Sequence, residues 1–130
     1  MIVVDASAVV RLLVSAQSNQ EIANLAFASG QILHAPHLMD AEVAHVLRRY
    51  AAAGKLDEAR GLISIEALRG LRIIRHPHGG QLNRVWALRH NFTAYDALYV
   101  ALAQSLGASL LTMDERLRAA VRQYTSLELL

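Results

Sequence analysis

Met1-Ile2-Val3-Val4-Asp5-Ala6-Ser7 is the stretch on which the fold turns. Three consecutive branched apolar residues suit a strand buried on both faces, as in parallel sheets. The run stops at an acid and a hydroxyl, and in open parallel sheets sites form outside the carboxyl ends of the strands. Similar short apolar runs recur at 32–35, 72–75 and 109–112, with a fifth candidate at 127–129. Helical patterns fill the gaps: 21–28, a run carrying Val43, Val46, Leu47 and Tyr50 at i, i+3, i+4, i+7, then 56–71, 81–90, 94–106 and 115–123. This alternation predicts an α/β fold, a three-layer α/β/α sandwich around a central, mostly parallel sheet of four to five strands. Strand order is left open by the sequence.

With 130 residues and no repeat or composition shift, the chain reads as a single domain over 1–130. That length buries about two-thirds of the unfolded surface, so no staple is needed. The absence of cysteine excludes thiolate zinc sites and cysteine nucleophiles and leans towards a reducing cytoplasm. Asp5 and Arg11 interrupt the opening turns, so no signal peptide is expected, and no uncharged stretch is long enough to predict a membrane span. The chain is 54% hydrophobic and only 18% charged, an apolar balance that predicts a covered surface, with a homodimer or bound protein as the natural occupant. Twelve of the thirteen basic residues are arginine, the better fork for phosphate, although base composition alone produces the same bias. Trp86 lies in an amphipathic pattern and reads as a packing residue.

Four acids stand out because each begins or ends an apolar element: Asp5, Glu42, Asp96 and Asp114. Asp96 is the only charge in Thr93-Ala94-Tyr95-Asp96-Ala97-Leu98-Tyr99-Val100-Ala101-Leu102-Ala103. If the four converge, each pair about 5 Å apart repels by roughly 3 kcal/mol at an effective dielectric near 20. A divalent cation resolves that repulsion, and oxygen-only ligands favour Mg²⁺ or Mn²⁺. Each acid also has an ordinary use. Thr93-x-x-Asp96 fits a helix capping box, Asp114 fits an N-cap, Glu42 suits a helix N-terminus, and Asp5 suits a turn acid bonded to amides. Asp40, two residues before Glu42, is an equal geometric candidate for the same pocket.

Asp5-Ala6-Ser7 after an apolar strand, Glu42-Val43-Ala44-His45-Val46-Leu47-Arg48 after Ala35-Pro36, Tyr95-Asp96-Ala97, and Leu111-Thr112-Met113-Asp114 together resemble the PIN domain. At this length and order the resemblance is closest to VapC-type toxins of type II toxin–antitoxin pairs. It covers essentially the whole chain. It implies a PIN-like α/β/α sheet, an acidic pocket for Mg²⁺ or Mn²⁺, endoribonuclease activity on RNA leaving a 3′-hydroxyl and 5′-phosphate, and a cognate VapB-type antitoxin. By position, Asp5, Glu42, Asp96 and Asp114 match the catalytic acids. Asp5 and Asp96 match the primary metal ligands, Asp114 and Glu42 match groups holding waters or a second ion, and Ser7 and Thr112 match supporting hydroxyls.

The rival reading is a non-catalytic PIN-like module that binds RNA or protein through a basic rim, for which Arg48, Arg49, Arg84, Arg89, Arg116 and Arg118 are the candidate phosphate contacts. A phosphoacceptor domain is disfavoured, because the one lysine, Lys55, is far in sequence from any strand end. No Gly-x-Ser-x-Gly elbow and no phosphate-binding Gly-x-x-x-x-Gly-Lys loop is present. His76-Pro77-His78 lacks further ligands for zinc.

Overall fold

A computed structural model of the chain describes residues 1–14, 20, 23–24, 28 and 30–130. Four strands, β1 (Ile2–Val4), β2 (Leu33–Pro36), β3 (Ile73–His76) and β4 (Ser109–Leu111), form one sheet in the order β3-β2-β1-β4. All three pairings are parallel, with Val3 opposite His34 on one side and Leu110 on the other. The order reverses at β1, because the chain winds from β1 through β2 to β3 and then returns to the other side of β1. That reversal opens a crevice beyond the carboxyl ends of β1 and β4, where Asp5 and Thr112 stand.

Every residue of β1 and β2 is buried, so both sheet faces are covered, as their continuous apolar pattern requires. Helix α1 (Ala6–Val14) packs Ala8, Val9 and Leu12 towards Val4, Leu33, Ile73 and Leu111. Helices α2 (Leu38–Ala52) and α3 (Glu58–Gly70) pack beside it. Helix α5 (Ala94–Leu106) lies against β1, β2 and β4, and its residues 97–103 are all buried. The Thr93 hydroxyl starts it by accepting from the Asp96 amide at 3.2 Å. Gly107 ends it in the left-handed region, at φ 61°, where a side chain is disfavoured. Helix α6 (Glu115–Tyr124) buries Leu117 and Val121.

Three expectations change. The fifth strand is reduced to one bridge, Leu110 to Leu129, because the chain end meets the β4 edge at a single point. The helix expected over 81–90 is a 3₁₀ turn (Gly79–Gln81) followed by the short α4 (Leu82–Ala87), which is too short to bury a full apolar face. Trp86 is consequently 69% exposed with the Arg89 guanidinium 4.4 Å from its ring centroid, so it is not a packing residue of the core. The helix expected over 21–28 lies largely outside the described residues.

Candidate active site

Asp5 is the first residue beyond β1 and is 5% exposed. Its Oδ1 accepts from the Ser7 hydroxyl at 2.7 Å and the Ala8 amide at 3.0 Å, and its Oδ2 accepts from the Thr112 hydroxyl at 2.5 Å. Each hydroxyl has one proton, and both protons are directed at the carboxylate. The 3.2 Å separation of Ser7 Oγ and Thr112 Oγ1 is therefore a side-by-side contact. Ser7 also accepts from the Met113 amide, and Thr112 from the Asp114 amide. The two hydroxyls thus tie the end of β1 to the turn after β4 and fix the Asp5 rotamer. Thr112 is fully buried, so its hydroxyl acts through Asp5.

Glu42, on α2, is half-buried and accepts from the Tyr99 hydroxyl at 2.6 Å, which links α2 to α5 across the end of the sheet. Burial, then Glu42 itself, raises the Tyr99 phenol far above its ordinary value, so it remains a donor. Asp96 lies in the first turn of α5 and makes no reciprocal bond to the Thr93 amide, so the expected capping box is only half formed. Its carboxylate is left for the cleft. Asp114 caps α6 through Oδ1, which accepts from Arg116 and Leu117 at 2.9 and 3.3 Å. The cap occupies Oδ1 and leaves Oδ2 without a bond among the described residues.

All four acids line one cleft of about 580 Å³, together with Ser7, His45, Arg49, Tyr95 and Tyr99. Desolvation raises the carboxyls of Asp5, Glu42 and Asp96 above their ordinary values. Asp114 adds to the rise at Asp5 and Asp96, and Asp96 adds to it at Glu42, so the acids repel one another through the cleft. None of the four forms an ion pair among the described residues. Asp40 does not join them. It faces β3, where Arg75 grips it with Nε at 2.6 Å and Nη2 at 3.0 Å.

The four carboxylates are an all-oxygen donor set without an ion pair among the described residues, and they fit a hard divalent cation. Among the described residues no three of the His, Asp or Glu side chains stand together as a ready-made metal cage. An ion here would take one or two carboxylates and complete its shell with water, which is the habit of Mg²⁺. The other histidines lie elsewhere: His34 Nδ1 is 2.9 Å from His76 Nε2, and His78 accepts from the Leu38 amide.

Sequence reasoning missed Tyr99, His45 and Tyr95 as cleft residues. Tyr99 and His45 were findable from their i+3 spacing to Asp96 and Glu42 on their helices, whereas Tyr95 carries no such signal. The candidate arginines divide. Arg49 lines the cleft and Arg116 lies near enough to Asp96 to oppose its rise. Arg84 bonds Gln104, and Arg118 bonds the carbonyls of Thr112 and Leu130, so Arg118 holds the chain end.

The chain matches the PIN domain over residues 2–123. It is 44% identical over 118 residues to the VapC ribonuclease Mb0985 of Mycobacterium bovis, covering 90% of this chain and 88% of that one. It is 45% identical over 119 residues to ribonuclease VapC1 of Mycobacterium tuberculosis, covering 91% and 89%. Among solved structures, PAE2754 of Pyrobaculum aerophilum superposes with a TM-score of 0.69 at 25% identity, covering 98% of this chain and 81% of that one. The Mycobacterium tuberculosis toxin VapC20 superposes at 0.67 over 92% and 95%, with 16% identity, a likeness of fold.

Proposed function

For a chain that belongs to the PIN-domain family, with VapC ribonucleases among its relatives, we propose the role of endoribonuclease toxin in a type II toxin–antitoxin pair. The observation that carries the reading is the cleft itself: four carboxylates from four separate elements face one space, with no ion pair to any of them among the described residues. Asp5 and Asp96 would hold a Mg²⁺ or Mn²⁺ ion, with Asp114 Oδ2 and Glu42 holding its waters or a second ion. When bound, that ion supplies Lewis-acid charge on the phosphodiester and makes a water acidic enough to attack at neutral pH.

The chain's own residues set the geometry. Ser7, Ala8 and Thr112 fix the Asp5 carboxylate and leave Oδ2 room for one more partner. Tyr99 orients Glu42, and the α6 cap orients Asp114. Repulsion between the acids keeps the apo cleft strained towards cation uptake.

The partners in this reading are RNA, a VapB-type antitoxin and a second copy of the chain. Exposed Leu62 and Ile63 on α3 and Leu82 and Trp86 on α4 support a covered surface. Among the described residues no helix is long and apolar enough to cross a membrane, and a cytoplasmic site of action accords with the RNA substrate. Purified chain, freed of antitoxin and shown by light scattering to be dimeric, should cut single-stranded RNA with Mg²⁺ or Mn²⁺ and not in EDTA. The products should carry 3′-hydroxyl and 5′-phosphate ends. A 2′,3′-cyclic phosphate would overturn the hydrolytic reading, because attack by water does not form it.

A further inference from the structure

A second groove runs out of the acidic cleft between α1 and α2. It measures about 470 Å³ and is lined by Ser7, Arg11, Val14, Val46, Arg49 and Met113, among others. Ser7, Val46 and Arg49 line both spaces, so the groove adjoins the cleft along these residues. Helical periodicity explains why. On α2, Glu42, Val46 and Arg49 follow i, i+4, i+7 and share a face that starts acidic and ends basic. On α1, Ser7 and Arg11 are i and i+4 and share the facing side. Arg11 stands about 6 Å along its axis from Ser7, and Arg49 about 10 Å from Glu42.

Both arginines are exposed, and neither guanidinium has a hydrogen bond or an ion pair among the described residues. Their state contrasts with Arg75, Arg84 and Arg118, whose guanidinium groups hold the fold together. A cleft that repels anions needs adjacent positive charge to retain a polyanion, and two free guanidinium forks one short step along the groove provide it. Resting on the ribonuclease reading above, we infer that Arg11 and Arg49 seat a backbone phosphate of single-stranded RNA next to the one cleaved. The strand then enters along the α1–α2 groove and crosses the acids at Ser7.

Binding of a short 5′-fluorescein single-stranded RNA to the full chain in EDTA, measured by anisotropy over a series of salt concentrations, tests this directly. Arg11→Gln and Arg49→Gln should each weaken binding several-fold and flatten the log–log salt dependence by about 0.7 per arginine removed. With Mn²⁺ present, KM should rise while kcat holds. Arg60→Gln, on α3 and lining neither the cleft nor the groove, is the control for loss of charge alone. Variants whose affinity and salt slope match that control overturn the groove and leave the ribonuclease reading standing. A wild type that neither binds nor cuts RNA overturns both. Variants that lose a protein partner and keep their RNA affinity also overturn it, since the arginines would then serve that partner.

Discussion

Asp40 and Glu42 stand two residues apart on α2, about 200° around the helix, and so face two different regions of the molecule. Asp40 meets Arg75 over β3, in a partly buried clamp where the guanidinium also bonds the carbonyls of Leu68 and Ile73. Glu42 faces the far side of the sheet's end, where its neighbours are Asp96 and a tyrosine. The first region neutralises its own charge and is complete. The second collects like charges that burial and proximity hold above their ordinary pKa, and it becomes stable only by taking protons or a cation. An acid paired within the fold is structural, whereas acids left facing one another are available for chemistry.

The largest effect that would break this comparison is on activity. Asp5→Asn or Asp96→Asn should lower the rate of RNA cleavage in Mn²⁺ by about 10³-fold or more, roughly 4 kcal/mol of transition-state stabilisation. Asp40→Asn, two residues from Glu42, should leave the rate within about a factor of two. Equal losses at all three positions would mean that the two regions are not distinct.

The next effect, on stability, runs the other way. Arg75→Leu leaves the partly buried Asp40 carboxylate and two carbonyls without their donor, and should cost about 2 kcal/mol, read as a lower urea midpoint. Cleavage at low temperature, where the variant stays folded, should persist. An unchanged midpoint would remove the clamp from the argument.

The smallest effect sharpens the electrostatics. Because the folded carboxyls of Asp5, Glu42 and Asp96 are raised, the native chain binds more protons than the unfolded chain just above the ordinary carboxylate range. Stability in EDTA should therefore fall as pH rises from that range through their raised values, and Mn²⁺ should restore it. Asp96→Asn should recover about 1 kcal/mol in EDTA at neutral pH, a figure reduced for solvent screening because Asp96 is only half-buried. Asp5→Asn should recover less, because asparagine replaces an acceptor that serves two hydroxyls and an amide. A melting temperature that is flat with pH and indifferent to metal would show that the acids do not share a field.

Much of the fold was legible in particular residues. Ile2-Val3-Val4 suited a strand buried on both faces, as in a parallel sheet, and the uncharged residues after Asp96 suited a buried helix. Strand ends fell within one residue of the expectation; Asp5 follows β1 directly and Pro36 closes β2. The four acids were legible as charges out of place, and the structure draws all four to one cleft. Their second duties were less visible: Asp114 is both a cap and a cleft residue, and nothing in Thr93-x-x-Asp96 says that the box closes from one side only. Trp86 was misread because amphipathic spacing does not report how short a helix is.

The sequence by itself determined the four strands, most of the described helices and which charges are anomalous, since these follow from local periodicity and from the cost of burying an ion. It could not choose between Asp40 and Glu42. That choice depends on which side of α2 meets β3 and which meets α5, and so on the strand order β3-β2-β1-β4. Nor could it say that Arg11 and Arg49, thirty-eight positions apart in number, flank one groove while Arg75 and Arg118 are bound within the fold. Charge has no direction along a chain, and only the packed helices decide which charges face each other.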